Sequence, residues 1–437
     1  MADDTTKSPY FCALPWLNIH SSPMGRTTLC CISTERMADA EGTLLGIRTH
    51  RLQDIWNSED YREIRRQLYS GQPVDACSIC YKNEQAGVSS YRQWSNKYWL
   101  GDHPEAKRFL EQIHRSAREG FSTEKPVSFD LRIGNTCNLK CRMCSPEYSS
   151  QIERDEVHGA GWRAGQMPRD KEHRFSNNIE DWSQSQALLD EIIEFTEDVE
   201  FIQLAGGEPT INKTQTEWLE HLVSSGRAGK VSLTIWTNLT NVKPSYFELL
   251  AQFKQLTVVI SSDGYGPTFE YIRFPAKWTQ LEDNARKLLS LARANVYISP
   301  VLQAYNLLTV TDLYRWADLR GIHGAVNPLH GPDYLHARVV PLAGRQLAAN
   351  RMEDYVAEAQ RKGIKNPGLF EALLAIAKEI RRPDHAAPPK TVQEFIEFTN
   401  DLDISRGQDI SRTCPELYGC FLHEYGEWKQ STRFVGR

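Results

Sequence analysis

Three cysteines in one short segment are the residues whose type and spacing point most directly to chemistry. Cys137, Cys141 and Cys144 form a C-x3-C-x2-C pattern. Thiolates are soft ligands that bind iron–sulfur clusters or zinc. Three thiolates leave one iron of a four-iron cubane open, and an open metal position is what catalysis needs. The spacing therefore predicts a catalytic iron–sulfur site, with a zinc site as the alternative.

The other cysteines are clustered as well. The chain begins with a polar segment, and none of its apolar runs approaches the roughly 18 residues of a membrane-spanning helix. We therefore expect a cytoplasmic protein without a membrane partner, in which clustered cysteines bind metal or do redox chemistry rather than form disulfides. The remaining cysteines are Cys12, Cys30, Cys31, Cys77, Cys80, Cys414 and Cys420.

Length and charge set broad limits on the molecule. A chain of 437 residues allows two or three domains, or one large barrel with additions. Its hydrophobic content of 40% and charged content of 24% are ordinary for a globular protein. The formal net charge of −5 gives no basic footprint, so we expect no nucleic-acid partner.

Alternating strands and helices must position the triplet. Short β-branched or aromatic runs alternate with helical patterns between about 126 and 342, which predicts a parallel sheet, either open or a partial barrel. Active sites in such folds lie at the C-terminal ends of the strands, and the triplet follows the first one. The predicted strands are 127–133, 199–204, 231–236, 256–261, 296–302 and 325–329, and the predicted helices are 185–196, 215–225, 244–253, 278–294 and 309–319.

Three other stretches flank or interrupt this region. A single helix is predicted over 52–69 and a second amphipathic one over 104–118. The long segment 146–182 is rich in charge and glycine, which is typical of a lid or substrate loop. Beyond 345 the pattern predicts helices over 346–362, 369–381 and 392–398, followed by irregular structure.

Polar motifs stand at the ends of four further predicted strands. Gly206-Gly207-Glu208-Pro209 follows the second strand, where paired glycines let a ligand approach the backbone and Glu208 can accept hydrogen bonds from an ammonium. Hydroxyl and carboxylate groups after the third and fourth strands suit a ribose diol, although the same residues are common in turns. The residues at these strand ends are Thr237 and Asn238 after the third strand, and Ser261, Ser262 and Asp263 after the fourth. Arg273 could clamp a carboxylate or form a surface ion pair, and Gln303 and Asn306 follow the fifth strand.

Together these motifs resemble the radical S-adenosylmethionine (radical SAM) superfamily. The resemblance implies a partial (β/α)6 TIM-like barrel over 121–342, a [4Fe–4S] cluster on Cys137, Cys141 and Cys144, and SAM bound to the open iron. Reduction by a partner such as ferredoxin or flavodoxin would then yield a 5′-deoxyadenosyl radical. The positions implied to line SAM are Met143, Gly206, Gly207, Glu208, Pro209, Thr237, Asn238, Ser261, Ser262, Asp263, Arg273 and Gln303. Met143 stands where the family usually has an aromatic residue.

The first cysteines resemble a second family module. A cysteine before Ala-Leu-Pro-Trp, a Gly-x4-Cys step and a C-x2-C pair are similar to the "twitch" domain, a short form of the SPASM domain. The resemblance implies an α+β domain over 1–120 and an auxiliary [4Fe–4S] cluster. Its implied ligands are Cys12, Cys30, Cys77 and Cys80, with Cys31 as a substitute for its neighbour. Two cysteine pairs are also a zinc-ribbon layout, so a zinc site is the alternative.

Three functions compete at this stage. The resemblance implies an enzyme that oxidises or cross-links a peptide or protein, with the auxiliary cluster as electron conduit. A dehydrogenase or epimerase of a small molecule such as a sugar is the alternative, and a non-enzymatic iron–sulfur or zinc protein is the third. The catalytic acid, base or hydrogen donor stays unassigned, as do the roles of Cys414, Cys420 and the helical extension over 343–437.

Overall fold

The computed structural model describes residues 8–85, 89–116, 119–166 and 182–435. Its contacts divide the chain into two compact units. The first comprises Met1–Asn135, Asp170–Ile235 and Glu248–Leu256, and the second comprises Thr136–Arg169, Trp236–Phe247 and Thr257–Arg437. Since these units follow spatial contacts rather than chain order, the division into domains 1–120, 121–342 and 343–437 stays a prediction.

The described residues contain ten strands, most of them in one mostly parallel sheet. They are β1 (Asn18–Ser21), β2 (Thr27–Thr28), β3 (Ser128–Leu131), β4 (Phe201–Leu204), β5 (Ser232–Thr237), β6 (Gln255–Ile260), β7 (Ala294–Ile298), β8 (Val301–Leu302), β9 (His323–Gly324) and β10 (Asn327–Pro328).

Helices connect the strands and form the C-terminal region. They are α1 (Leu14–Leu17), α2 (Leu52–Trp56), α3 (Glu59–Tyr69), α4 (Ser78–Gln85), α5 (Tyr91–Lys97), α6 (Ala106–Ser116), α7 (Ser150–Glu153), α8 (Gln186–Phe195), α9 (Lys213–Ser224), α10 (Pro244–Leu250), α11 (Pro267–Ile272), α12 (Trp278–Leu289), α13 (Val310–Asp318), α14 (Leu342–Arg361), α15 (Pro367–Ile380), α16 (Pro389–Arg406), α17 (Ile410–Thr413) and α18 (Pro415–Tyr425).

In the first unit the strand order is β2-β1-β3-β4-β5, and only the β1–β2 pair is antiparallel. Side chains alternate between the two faces of the sheet. Phe129 of β3 packs on one face against Phe195 of α8 and Trp218 of α9, with ring centroids 6.1 and 6.3 Å apart. Its neighbours Ser128 and Asp130 point to the other face and are buried there. That face of the sheet is therefore polar.

The second unit combines short strands with the C-terminal helices. β7 pairs in parallel with β9, and β8 pairs in parallel with β10. α14 and α15 pack extensively on each other, and α16 buries a mixed surface that includes Phe395, Thr399 and Asp403. The predicted α/β class is confirmed, with a mostly parallel sheet and a helical C-terminal region, as expected for a partial (β/α)6 barrel.

Two secondary-structure predictions are wrong. The single helix expected over 52–69 is broken at Asn57 and Ser58, because Ser58 has an extended ψ of 160° and precedes the acidic first turn of α3. The Asn57 side chain donates to the Ser122 carbonyl at 3.0 Å and accepts from Arg65 at 3.0 Å, which stabilises the break. The end of the chain is not irregular either, since α16 reaches Arg406 and two more helices follow.

Within the part of the chain that the structure describes, no helix is both long enough and apolar enough to cross a bilayer.

Candidate functional site

The three cysteines of the triplet lie in a loop of the second unit that is neither helix nor strand. Cys137 and Cys141 are buried and Cys144 is half-buried. Burial raises the pKa of Cys141 to about 12 and also raises the pKa of Cys144, because a thiolate is poorly solvated there. Arg273 Nη1 lies 3.9 Å from Cys141 Sγ and can donate to it. Buried thiols beside a fixed donor fit a metal centre, which replaces the proton on sulfur when it binds.

Backbone hydrogen bonds hold the middle of this loop. Lys140 N donates to the Phe274 carbonyl at 2.6 Å, and Arg142 N donates to the Ile272 carbonyl at 2.9 Å. Ser149 Oγ donates to the Leu139 carbonyl at 2.7 Å. The loop is thereby fixed against the segment that follows α11, which is also the segment that carries Arg273.

Arg142, between the second and third cysteines, is fully buried. Its guanidinium donates to the Tyr271 carbonyl at 3.1 Å, to Gln408 Oε1 at 3.0 Å and to the Asp403 carboxylate. Tyr271 Oη also donates to Asp403 Oδ1 at 2.8 Å. The buried cation therefore has a carboxylate partner that is supplied by α16 of the C-terminal extension.

A buried network surrounds the Ser262–Asp263 motif after β6. Asp263 accepts from Arg273 Nε at 2.7 Å and from Val301 N at 2.8 Å. Asn306 donates to the Asp263 carbonyl at 2.8 Å and accepts from Gln303 N at 2.8 Å. Gln303 is fully buried, and its Oε1 has no hydrogen-bond partner among the described residues. Both carboxylate oxygens of Asp263 thus have protein donors, and Gln303 retains an unused acceptor.

The residues after β5 are fixed by short turns. Asn238 Nδ2 donates to Asn138 Oδ1 at 2.9 Å, which joins this turn to the triplet loop. Ser261 N donates to the Thr237 carbonyl at 2.8 Å. Ser262 Oγ is buried and donates to a carbonyl two residues ahead. Their predicted contacts with the SAM ribose stay predictions.

The Gly206–Pro209 turn lies in the first unit. Gly206 and Gly207 have φ of 78° and 51°, in the left-handed region that favours glycine. A Cβ on Gly206 would lie 2.9 Å from both Arg132 Cβ and Pro23 Cγ, so the turn needs this glycine for space as well. Glu208 is buried, and one of its oxygens accepts from the backbone and the hydroxyl of Thr210. The predicted role of this turn in SAM binding stays a prediction.

Cys12, Cys30, Cys77 and Cys80 line one small cavity of the first unit. Burial, followed by the charge of Cys80, raises the pKa of Cys77 to about 11, and burial also raises the pKa values of Cys12 and Cys30. Cys31 is not part of this lining; burial and the nearby Asp130 raise its pKa to about 12. A cavity surrounded by four thiols fits a [4Fe–4S] cluster.

Helices position three of these four thiols. Cys77 directly precedes α4 and Cys80 lies in its first turn, where a spacing of three residues puts side chains on the same side. Asn96 of α5 accepts from Ala13 N at 2.9 Å and donates to the Phe11 carbonyl at 2.8 Å. The backbone on both sides of Cys12, just before α1, is therefore tied to α5. Among the described residues, no three His, Cys, Asp or Glu side chains form a group suited to a single metal ion.

Met143, the two C-terminal cysteines and the predicted lid are the other features that the sequence singled out. Met143 is half-buried, and its carbonyl accepts from Arg163 Nη2 at 3.1 Å. Cys414 is buried and its thiol contacts the Tyr305 carbonyl at 3.9 Å, while Cys420 is half-buried. The predicted lid over 146–182 contains α7 and a π-helical turn over Glu156–Trp162, and its residues 167–181 lie outside the described ones.

Sequence reasoning missed four residues around the triplet. Arg142 stands inside the motif and could have been noticed, since an arginine between two buried cysteines needs a counter-charge. His158, Asp403 and Arg406 belong to no motif. Asp403 and Arg406 lie on α16, where Asp403 bonds Arg142 of the triplet loop and Arg406 bonds His158.

Comparison with family models identifies both cysteine regions. The model of the radical SAM superfamily matches residues 131–317. The model described as an iron–sulfur cluster-binding domain, SPASM, matches residues 12–81. The chain matches no curated protein.

Solved structures show limited similarity. The chain is 18% identical to anSMEcpe with bound AdoMet, with a TM-score of 0.38 over 55% of this chain and 59% of that one. It is 16% identical to Streptococcus suis SuiB bound to the precursor peptide SuiA, with a TM-score of 0.36 over 72% of this chain and 67% of that one. The chain thus spans less than two thirds of the anSMEcpe chain, and scores this low carry no information about its substrate.

Proposed function

Because the chain belongs to the radical SAM superfamily and carries a SPASM iron–sulfur domain, we propose that it is an oxidative radical enzyme that modifies a peptide or protein. When bound, the cluster and SAM supply a 5′-deoxyadenosyl radical that abstracts a hydrogen atom from the substrate. One observation carries the proposal: the chain has two separate sets of buried or half-buried cysteines, one of three thiols and one of four.

In this proposal the triplet holds the cluster that binds SAM. Cys137, Cys141 and Cys144 supply three thiolates, and their number leaves one iron for SAM. Arg273 donates toward Cys141 and is held by Asp263, so its guanidinium has a fixed direction. Cys137, Cys141, Arg273 and Asp263 are buried and Cys144 is half-buried, so the place where a radical would form is largely shielded from water.

The four other thiols would hold the auxiliary cluster. Cys12, Cys30, Cys77 and Cys80 occupy all the cubane positions, so this cluster would supply electron transfer rather than an open iron. Arg92 lines the same cavity and is fixed by Glu84 and by the Phe11 carbonyl. Its charge favours thiolates over thiols in the buried cavity.

In this proposal, a cleft in the first unit is the candidate place for a peptide segment. The cleft has a volume of about 970 Å³, at the upper end of the roughly 300–1,000 Å³ typical of small-molecule pockets. Its lining mixes apolar, amide and charged groups, including Arg51, Trp182 and Glu191. Such a mixture suits an extended chain with varied side chains. A reductant of the ferredoxin or flavodoxin class belongs to the same proposal.

The first experiment tests the radical chemistry. Anaerobically reconstituted protein should hold about eight irons, four per cluster, and should release 5′-deoxyadenosine from SAM when dithionite is added. A variant with Cys137, Cys141 and Cys144 replaced by alanine should keep about four irons and release none. If the wild-type chain released no 5′-deoxyadenosine, the proposed function would be wrong.

A second experiment tests the substrate class. Low-molecular-weight fractions of a cell extract are added to the reconstituted protein with SAM and dithionite, and the release of 5′-deoxyadenosine is followed by chromatography. A stimulating fraction should lose its effect after digestion with a nonspecific protease. Stimulation that survives digestion would point instead to a small molecule such as a sugar and would contradict the peptide proposal.

A further inference from the structure

Arg406, the last residue of α16, is a buried cation with few partners. Its exposed fraction is 9%. Its Nη2 lies 3.0 Å from Nδ1 of His158, and its guanidinium lies over the Phe274 ring at 5.5 Å. Its Nε and Nη1 have no hydrogen-bond partner among the described residues. Most of its donor capacity is therefore unused.

No described carboxylate is bound directly to this arginine, and Asp155, which acts on its charge from a distance, is itself paired with Lys140 Nζ at 2.9 Å. Arg142 and Arg273 form buried ion pairs with Asp403 and Asp263, whereas no ion pair joins Arg406 to an acid in the described part of the chain. His158 is itself fully buried, and burial and Arg406 lower its pKa well below the usual range, so it stays neutral. A buried cation without a counter-charge is costly, and an anion nearby would remove that cost.

The triplet is the place where such an anion would form. Arg406 reaches the triplet through Phe274, whose ring lies under the guanidinium and whose neighbour Arg273 has its Nη1 3.9 Å from Cys141 Sγ. Phe274, under the guanidinium, also accepts the backbone hydrogen bond of Lys140 from the triplet loop. A four-iron cluster on three thiolates is negatively charged, and one-electron reduction adds a second negative charge.

We propose that Arg406 compensates the charge of the cluster held by Cys137, Cys141 and Cys144 and raises its reduction potential. This inference rests on the proposed function. One electron from the external reductant enters the cluster, no bond changes, and the nearby positive charge stabilises the reduced form more than the oxidised form. Arg406 is thus a positioning and charge-compensating residue of the C-terminal extension and does not itself react.

Redox titration followed by electron paramagnetic resonance tests this role. The SAM-binding cluster is recognised as the signal that changes when SAM is added, since the other set of thiols leaves no open iron. Arg406→Gln should lower the midpoint potential of this cluster by at least roughly 59 mV, which corresponds to a tenfold change in the one-electron reduction equilibrium. Arg406→Lys keeps the charge and should stay near the wild-type value. Arg412→Gln removes an equal charge from an exposed position of α17 and should change nothing.

A second pair of variants leaves Arg406 in place. His158→Glu puts a carboxylate beside Arg406 and should lower the potential as Arg406→Gln does. His158→Gln introduces a side chain of the same shape as glutamate but without the charge, and it should not lower the potential. This pair decides the question if Arg406→Gln fails to fold or to hold iron. A purely structural role would lower iron content and thermal stability equally in both His158 variants without separating their potentials.

The outcomes separate this inference from the proposed function. If the wild-type chain shows no SAM-responsive cluster, the proposed function fails. If that cluster is present but Arg406→Gln and His158→Glu leave its potential equal to that of Arg412→Gln, the role of Arg406 is wrong and the proposed function stands.

Discussion

At the scale of single residues, the triplet depends on charges that its own spacing does not reveal. Arg142 brings a full positive charge between two cysteines, and its carboxylate partner is 261 residues away in the chain. The buried pair stacks against Tyr271, with the guanidinium 3.7 Å from the ring centroid. The cysteines could be predicted as candidate ligands because their types and spacing are local. The partner of Arg142 could not, because it follows from the packing of α16.

Replacing Asp403 with asparagine should therefore destabilise the second unit. The change keeps the shape of the side chain but leaves Arg142 buried without its counter-charge, which costs about 3–5 kcal/mol for buried pairs. Chemical denaturation should show this loss, and iron analysis should show weaker retention by the triplet. Asp384→Asn is the matched control, since it breaks an exposed aspartate–arginine pair with Arg382. Equal effects of the two variants would show that Asp403 has no special role.

The choice between Cys30 and its neighbour is also a question of single residues. The Gly-x4-Cys step favours Cys30, and Cys30 lines the cavity of the other three thiols. Cys30→Ser should lose about four irons per chain, the content of one cluster, while Cys31→Ser should retain them. Iron analysis with the visible absorbance of the clusters measures this. The reverse pattern would make Cys31 the ligand.

At the scale of elements, four central strands were predictable from the sequence, whereas one strand and one helix that pack near them were not. β3, β4, β5 and β6 lie within one or two residues of the predicted runs, because each run is apolar and ends in a turn residue. β1 was missed: only four residues long, it is fixed by parallel pairing with β3 across more than 100 positions. α5 was also missed, although Ser90 and Gln93 form the capping box that marks its start.

The amide of Asn96 makes α5 a support for the auxiliary cysteines. Asn96→Ala removes both hydrogen bonds to the backbone around Cys12, each worth about 0.5–1.5 kcal/mol. We expect lower stability and faster loss of iron from the four-cysteine site, with little change at the triplet. Chelator-challenge kinetics would measure the iron loss. Lys97→Ala, an exposed position on the same helix, is the control, and identical kinetics for the two variants would contradict this role.

At the scale of the whole molecule, each compact unit holds one set of cysteines. The first contains the SPASM match and four thiols in one cavity, and the second contains the triplet and the C-terminal helix that partners Arg142. The motifs predicted this division of cysteines. They could not predict that the C-terminal extension supports the triplet, because Asp403 and Arg406 lie on a helix whose sequence has no catalytic pattern.

Under the proposed function, the two sets of thiols together predict how much reductant each turnover needs. Cleavage of SAM takes up one electron, and the substrate radical that follows hydrogen abstraction loses one electron and one proton when it is oxidised. In sum, SAM and the substrate are converted to methionine, 5′-deoxyadenosine, the oxidised product and a proton, and no reductant is consumed overall.

This stoichiometry can be measured with a limiting, titrated reductant and the stimulating peptide fraction. The amount of product should exceed the number of electrons supplied and should equal the amount of 5′-deoxyadenosine released. Replacing Cys12, Cys30, Cys77 and Cys80 with alanine should leave SAM cleavage but abolish this excess. If one electron were consumed for each product molecule, the substrate radical would not return its electron to the enzyme, and a net oxidation of the substrate would be ruled out.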